Sequence, residues 1–273
     1  MTFARRAVTA AKSTIAMAAT LGVATRRPDM ALRYASRFLT DRERPVELAW
    51  KGFKLTARGC DWPALQEVLI ENEYGALVPA LTAKPAPFVA DLGANIGTFA
   101  LFSFSVAPGA IVHSYEPAAA TYGILAETQA RNGGYRWTTH HGAAWREDGS
   151  ITFQSGAAST AGRVDASGNE TAPAFSLATI LGHCGGAIDV AKIDIEGAEE
   201  ALVAGRESEI ARIGTLVIEL HPGRCDCAAV TRTLRASFGT LHRIPGRRSA
   251  KPLLLATRLP VASALPVYTD EGL

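Results

Sequence analysis

From residue 88 onwards, short apolar runs alternate regularly with longer segments of helical pattern. The apolar runs predict strands at 88–91, 110–115, 137–141, 188–193, 215–220 and 253–257, and the segments between them predict helices. Alternation of this kind predicts a mostly parallel sheet with helices on both faces. We therefore expect an α/β protein with a doubly wound sheet, whose ligand site lies beyond the carboxyl ends of the strands.

One part of this region departs from the alternation. Residues 142–173 are rich in Gly, Ala and Ser, and we expect them to loop outward, except for a small hairpin that pairs 150–153 with 162–164. A short helix is expected to follow at 175–181, and another at 228–237 before the last strand.

The chain before residue 88 has a different pattern. Residues 1–40 favour helices, and 45–58 alternate well enough for a pair of short strands. Asp61, followed by Pro63, predicts a helix that begins with Asp61 as its N-cap. Two prolines within 83–87 predict a linker. We therefore expect an N-terminal extension of helices and short strands over residues 1–82, and a main domain over residues 83–273.

The composition is that of a soluble protein with a sizeable core, since 48% of the residues are hydrophobic and 20% are charged. The net charge of +2 gives no global reason to expect nucleic acid or a membrane surface as a partner. The uncharged run 13–25 is too short to span a bilayer and is rich in Ala and Thr rather than Leu. We expect a cytoplasmic protein without a membrane span, and the sequence leaves the oligomeric state open.

The turn after the first strand of the main domain carries the first ligand signal. Asp91 is followed by Gly93, Ala94, Asn95 and Gly97, and then by an apolar helix start. Asn95 occupies a position where a dinucleotide-binding turn needs glycine, and the lysine of a P-loop is absent. An acid beside a helix N-terminus suits a ligand that carries both an ammonium and a carboxylate, such as the amino-acid part of S-adenosylmethionine.

Acids also follow other strands. Glu116, before Pro117, lies about 20 residues beyond the glycine turn, where an acid can accept hydrogen bonds from ribose hydroxyls. The string from Lys192 to Glu199 places Lys192 and Asp194 on one face of a strand, where ionisable groups must be paired or exposed to a site. A buried structural Lys–Asp pair is the alternative.

The strings FVADLGANIGTFAL, YEP, KIDIEGAE and VIELHP, in this order and spacing, resemble the FkbM family of S-adenosylmethionine-dependent methyltransferases. The resemblance covers about residues 61–221. It implies a seven-stranded, Rossmann-like class I methyltransferase sheet with a reversed last strand. It also implies S-adenosylmethionine as cofactor, with Glu116 on the ribose and Asp194 below the sulfonium. The full set of cofactor-binding candidates is Asp91, Gly93, Ala94, Asn95, Gly97, Glu116, Pro117, Ala143 and Asp194, with Ala143 against the adenine.

The catalytic candidates lie at the same predicted edge. A neutral hydroxyl acceptor needs a base, and we expect it to be His221 or Asp194, with Lys192 and Glu196 as further members of the catalytic group. Tyr74 and Glu219 are the candidates for contact with the substrate. Asp194, Glu196 and Glu219 could also hold a divalent ion, although we do not assign one. Lys251 belongs to a basic segment for which a solvated surface loop is the simpler interpretation.

The leading hypothesis is thus an S-adenosylmethionine-dependent O-methyltransferase acting on a sugar, glycan or polyketide-like metabolite. One alternative is an NAD-dependent oxidoreductase on a Rossmann-like sheet, against which Asn95 and Asp91 argue. The other is a non-catalytic binding module that retains the methyltransferase fold.

Overall fold

The structure is a computed structural model that describes residues 3–154, 163–164, 168–245, 251–261 and 265–269. The extension begins with two helices, α1 (Phe3–Thr25) and α2 (Pro28–Thr40), which pack against each other as a hairpin. A β-hairpin of β1 (Val46–Trp50) and β2 (Phe53–Ala57) follows, as expected from its alternation. A 3₁₀ turn at Gly59–Asp61 then leads into α3 (Trp62–Ala64), a π-helical segment at Leu65–Ile70, a second 3₁₀ turn at Glu73–Leu77 and α4 (Val78–Leu81).

The helix predicted to begin at Asp61 does so, with Asp61 at the N-cap position and Pro63 in the first turn. The Asp61 side chain makes no capping hydrogen bond to this helix and instead accepts hydrogen bonds from the backbone N–H and the guanidinium of Arg58. Both residues are buried, so the Asp61 carboxylate pairs with the Arg58 guanidinium, which would otherwise be a buried charge without a partner.

The strands and helices after residue 83 are the following: β3 (Phe88–Leu92), α5 (Thr98–Val106), β4 (Ile111–Glu116), α6 (Ala119–Arg131), β5 (Arg136–His141), β6 (Ala143–Ala144), β7 (Gly149–Gln154), β8 (Arg163–Val164), β9 (Glu170–Phe175), α7 (Leu177–His183), β10 (Ile188–Ile193), α8 (Glu199–Val203), α9 (Glu207–Ile210), β11 (Ile213–Glu219), α10 (Cys227–Phe238), β12 (Leu241–Ile244) and β13 (Leu253–Thr257).

The main sheet has seven strands in the order β12-β13-β11-β10-β3-β4-β5. The pairs between β11 and β5 are parallel, and β13 runs antiparallel to both of its neighbours. The seven-stranded, mostly parallel sheet with a reversed last strand is therefore confirmed. The sequence did not predict β12, because its four residues Leu-His-Arg-Ile are too short to stand out from the helix before them.

A second sheet, in the order β6-β9-β7-β8, occupies much of the segment expected to loop outward. The predicted hairpin is present as the pair between β7 and β8, although residue 162 lies outside the described residues. The loop prediction for 142–173 is wrong at β9, which pairs with both β6 and β7. Its sequence Glu-Thr-Ala-Pro-Ala-Phe has low strand propensity, so pairing with β7 rather than local preference forms the strand. The helix expected at 175–181 begins two residues later, where Ser176 accepts a hydrogen bond from the backbone N–H of Thr179.

One hydrophobic cluster runs from Met17 in α1 through Leu65 to Leu101 in α5 and Leu255 in β13. The extension therefore shares a core with the main sheet, and the division at residues 82 and 83 stays a prediction. Of the helices in the described part of the chain, none combines the length and the apolar character that crossing a membrane requires.

A stack of aromatic rings lies on β4, β5 and the end of α7. The ring of His140 is 4.4 Å from that of Tyr115 and 4.7 Å from that of His183, and its Nε2 lies 3.0 Å from Nδ1 of His113. Burial, together with the neighbouring imidazoles, lowers the pKa of His140 to about 4 and lowers that of His113 as well. Both rings are therefore neutral at physiological pH.

Candidate functional site

The turn between β3 and α5 has a backbone that only certain residues can adopt. Gly93 has φ +76°, and a Cβ at this position would lie 1.8 Å from the carbonyl oxygen of Asp194 at the end of β10. Gly97, with φ +90°, lies against the ring of Trp137. Asn95 between them is also left-handed, at φ +52°. The glycines thus allow the ends of β3 and β10 to approach closely and expose the turn to the space above the sheet.

A buried ion pair lies below this turn. Asp91 is fully buried, and its Oδ1 is 3.6 Å from Nζ of Lys192 on the adjacent strand β10. Ser114 donates a hydrogen bond to its other oxygen. Lys192 also donates to the carbonyl oxygens of Leu92 and Gly93. Burial raises the pKa of Asp91 against the opposing effect of Lys192, whereas burial opposes the charge of Lys192 and the surrounding acids raise its pKa.

Glu116 lies at the end of β4 beside the same turn. One of its carboxylate oxygens accepts a hydrogen bond from the backbone N–H of Asn95 at 3.0 Å, and the other accepts one from that of Ala118 at 2.9 Å. Burial raises its pKa to about 7, although both hydrogen bonds favour the charged form. The side chain is thus held rigidly and keeps lone pairs for hydroxyl donors.

Three buried oxygen atoms around the turn have no hydrogen-bond donor among the described residues. They are Oδ1 of Asp91, of Asn95 and of Asp194. Unsatisfied buried acceptors are rare in folded proteins, and each one left without a donor is costly. The combination therefore fits a ligand with an ammonium or other N–H donor, as expected for the amino-acid part of S-adenosylmethionine.

A single cleft contains most of the predicted site residues. Its predicted members are Tyr74, Gly93, Ala94, Asn95, Glu116, Pro117, Ala143, Lys192, Asp194 and Glu196. Ile151 and Phe153 of the small sheet form another wall, and the extension contributes Arg58 and Val68. The cleft does not reach Asp91, Gly97, Glu219 or His221, which lie below or beside it.

Tyr74 lies over the cleft from the second 3₁₀ turn. Its side chain is buried, and its ring meets that of Phe99 edge to face at 5.0 Å. Burial, with a contribution from the charge of Asp194, raises the pKa of its hydroxyl well above the ordinary value. The hydroxyl is therefore a hydrogen-bond group and not a base at neutral pH.

His221 lies beyond the end of β11 in a group of carboxylates. Its Nδ1 is 2.9 Å from Oε1 of Glu199, and its Nε2 is 3.1 Å from Glu196 and 3.3 Å from Glu219. Burial opposes the charge of the imidazole, but these acids outweigh it and raise the pKa of His221 to about 11. His221 is thus a cation at neutral pH.

Lys251 completes the group. Its Nζ lies 2.9 Å from Nε2 of His221, and the carboxylates of Glu196 and Glu219 each lie within 3.3 Å of both cations. Although burial opposes their ionisation, the two cations lower the pKa of Glu196 and of Glu219. The interpretation of Lys251 as part of a solvated basic loop is therefore wrong: it ion-pairs at the edge of the site.

Asp194 differs from these acids because burial raises its pKa to about 6, an effect that Lys192 only partly opposes. It lies between the two groups, 3.9 Å from Nζ of Lys192 and 3.9 Å from Nε2 of His221. Single ligand atoms of Asp194, Glu219 and His221 lie within 4.8 Å of one another, a spacing that could hold a metal ion. An ion at this position would have to displace the proton of His221 and the contact between Lys251 and Glu219.

Sequence reasoning missed two members of the site. Glu199 is not among the predicted site residues, yet its Oε1 accepts hydrogen bonds from His221 and from the backbone N–H of Gly197. Its position in the Glu-Gly-Ala-Glu string could have indicated this role. Arg58 lines the cleft from a segment whose sequence carries no ligand pattern.

Comparison with known proteins adds independent findings. A family model described as the methyltransferase FkbM domain matches residues 91–237. The 31-O-demethyl-FK506 methyltransferase FkbM of Streptomyces tacrolimicus is 30% identical in an alignment of 215 positions, which covers 61% of this chain and 83% of that protein. A crystal structure of the methyltransferase FkbM from Methylobacillus flagellatus superposes with a TM-score of 0.50 at 17% identity. That match covers 63% of this chain and 44% of the other, so this chain spans less than half of that structure, and the likeness concerns the fold alone.

Proposed function

Because this chain belongs to the FkbM family of methyltransferases, we propose that it transfers the methyl group of S-adenosylmethionine to a hydroxyl group of a sugar, glycan or polyketide-like metabolite. The unpartnered acceptor oxygens of Asn95 and Asp194, which both line the cleft, carry the assignment of the cofactor, because they are free to accept hydrogen bonds from N–H donors at the carboxyl edge of the sheet.

In this proposal the residues of the cleft hold successive parts of the cofactor. The turn from Gly93 to Gly97 holds the amino-acid part, with Asp91 and Lys192 fixing the strands below it. Glu116 accepts hydrogen bonds from the ribose hydroxyls, for which its backbone contacts fix its position. Pro117 and Ala143 lie where the adenine would pack. The bound cofactor supplies a methyl group already activated by the positive sulfonium.

The protein's own part in the reaction is to align the acceptor, to exclude water and to remove the proton of the acceptor hydroxyl. We assign the base to Asp194, because it lines the cleft and has a pKa of about 6. A base is most effective when its pKa lies near the working pH. His221 already carries a proton and lies outside the cleft, so we assign it the positioning of Glu196 and Glu219. We assign the orientation of the acceptor hydroxyl to Tyr74, which lines the cleft. Glu219 lies outside the cleft, and its negative charge helps to raise the pKa of Asp194.

Calorimetry with S-adenosylmethionine and with NAD tests the cofactor. We expect binding of the former and none of the latter; the reverse result would favour the oxidoreductase alternative. Incubation with labelled S-adenosylmethionine and fractionated metabolites then tests transfer. Cofactor binding without transfer to any fraction would favour the non-catalytic module.

The Asp194→Asn variant tests the base. Loss of a general base costs between about 10²-fold and 10⁴-fold in turnover, so we expect that loss at saturating S-adenosylmethionine, where a weaker affinity for the cofactor no longer affects the rate. Asp41→Asn, at an exposed position after α2, is the matched control and should turn over normally. Normal turnover in Asp194→Asn would remove Asp194 from this role. Activity that is lost in chelator and restored by magnesium would instead require an ion among Asp194, Glu219 and His221.

A further inference from the structure

The α1–α2 hairpin carries most of the large hydrophobic side chains that are exposed in the described part of the chain. Val23 is 81% exposed, Ile15 69%, Leu32 65% and Leu39 59%, and they are four of the seven large hydrophobic side chains found exposed among the described residues. The other three are on separate elements, where single exposed hydrophobic residues are ordinary. Exposed aliphatic groups concentrated on one element indicate a surface that another body covers.

The spacing along α1 shows that this exposure is organised. Met17 and Leu21, four residues apart, are buried against the core. Ile15, Ala19 and Val23, also four residues apart, are exposed and form a second apolar stripe on the outer side of the helix. A helix that only packs on a core needs one apolar stripe and a polar outer side. Within the described part of the chain, nothing covers the second stripe.

Arginines accompany this apolar surface on α2 and the segment after it. Arg33, Arg37 and Arg44 line one groove together with Leu32 and Met30. In the described residues no carboxylate lies within ion-pair distance of these three guanidinium groups, in contrast to Arg27, which pairs with Asp29 at 2.8 Å. We use the name hairpin surface for these three arginines together with the exposed apolar side chains of the two helices, which are Ile15, Ala19, Val23, Leu32 and Leu39.

We propose that the hairpin surface docks on an anionic lipid bilayer. Aliphatic side chains that enter the headgroup region, flanked by arginines that meet anionic headgroups, are the features by which amphipathic helices bind membrane surfaces. A second copy of this chain fits less well, because the two acids of the groove, Asp29 and Glu47, already pair with Arg27 and Arg131 and leave no free carboxylate there for the arginines of the other copy. Nucleic acid fits less well too, because exposed leucines and valines have no role along a phosphate backbone. The small net charge of +2 does not reveal this surface, because acids elsewhere in the chain offset its local positive charge.

The hairpin surface is coupled to the cleft through α2. Tyr34 donates a hydrogen bond to the carbonyl oxygen of Arg58, and Gly59 lies so close to α2 that an added Cβ would be 3.0 Å from Cα of Phe38. Arg58 lines the cleft. Docking would therefore hold one wall of the cleft at a fixed place near the bilayer. Binding to the bilayer does not depend on methyl transfer, so its test stands apart from that of the proposed function.

Flotation of the full chain with lipid vesicles tests the proposal. We expect binding to vesicles of phosphatidylcholine with about a quarter phosphatidylglycerol, and little binding to phosphatidylcholine alone. Raising the salt from about 0.1 M to about 0.5 M should weaken binding, because it screens the arginines. Each of Arg33→Gln, Arg37→Gln and Arg44→Gln should weaken partitioning about fivefold, the equivalent of about 1 kcal/mol per charge.

Substitution of exposed apolar residues gives a second, independent test. The double variant Leu32→Ser and Leu39→Ser should lose binding as well, since these side chains are exposed and their change leaves the core intact. Arg232→Gln and Val267→Ser, at exposed positions on other elements, are the matched controls and should bind as the unchanged protein does. All variants should retain the far-UV circular dichroism of the unchanged chain.

Three results would overturn the proposal. The first is equal binding to neutral and anionic vesicles, or none to either. The second is unchanged binding in both the arginine variants and the leucine variant. The third is a concentration-dependent dimer in sedimentation experiments that the Leu32→Ser and Leu39→Ser changes abolish, because it would identify a second copy as the occupant.

Discussion

Replacing Gly93 by alanine should damage both the fold and the cofactor site. The new Cβ would lie 1.8 Å from the carbonyl oxygen of Asp194 and 2.9 Å from its carbonyl carbon, a deep overlap with backbone that no rotamer change can relieve. The backbone at φ +76° adds about 1–2 kcal/mol for an L-residue. Overpacking of this kind adds about 1–3 kcal/mol. We therefore expect the free energy of unfolding to fall by about 2–5 kcal/mol.

The control comes from the same chain. Gly123, in α6, has no atom within 4 Å of the position of an added Cβ. Gly123→Ala should therefore stabilise the protein by about 0.5–1 kcal/mol, because alanine is the better helix former. Urea denaturation of the two variants measures both effects, and calorimetry below the unfolding transition measures S-adenosylmethionine binding. Gly93→Ala should bind much more weakly, because the ends of β3 and β10 must separate. A Gly93→Ala protein with unchanged stability and unchanged affinity would refute the reasoning.

Two further predictions concern protonation. The variant Glu199→Gln replaces the charged acceptor of His221 Nδ1 by a neutral one. The pKa of His221 should then fall by about one unit in an NMR titration. An unchanged pKa would show that Glu196 and Glu219 alone keep His221 protonated. The folded-state pKa of His140, about 4, lies below its unfolded value of about 6.5, so the unfolded chain binds more protons and stability should fall as the pH drops below about 6.5. His140→Phe should flatten this fall in urea midpoints measured at several pH values, and an unchanged slope in that variant would contradict the assignment.

The sequence predicted which strand ends meet at one edge of the sheet because parallel topology decides it. Asp91, Glu116, Asp194 and Glu219 each lie at or just after the carboxyl end of a strand, and β3, β4, β10 and β11 are adjacent and parallel. Once the strands are recognised, their final residues must meet at one edge. No knowledge of side-chain packing is needed for that step, so apolar runs and turn residues suffice.

The parts that escaped prediction depend on partners that are distant in the chain. The strand β9 forms because β7 lies beside it, although its own composition argues against a strand. Lys251 joins the site because the antiparallel return of β13 brings the preceding segment back to the end of β11. Neither effect leaves a periodic signal in the local sequence. The same holds for the charge of His221, which depends on Glu196 and Glu199 from one segment and on Glu219 from another.

The opposite proton preferences of Asp194 and His221 lead to a last prediction about the proposed reaction. The two side chains lie 3.9 Å apart, yet burial raises the pKa of Asp194 to about 6, while neighbouring acids raise that of His221 to about 11. At neutral pH only Asp194 can accept a proton, and the positive His221 helps to keep its pKa from rising further.

His221→Asn removes that positive charge and leaves Glu196 and Glu219 with Lys251 alone. The pKa of Asp194 should then rise, by between about one and two units for a charge lost at this distance in a screened site. A base works only when it is deprotonated, so the rise of turnover with pH should move upward by the same amount, and activity should return at alkaline pH. If the midpoint of turnover against pH is unchanged, His221 does not lower the pKa of Asp194. Loss of activity at every pH in a folded His221→Asn protein would show that the imidazole itself takes part in the reaction.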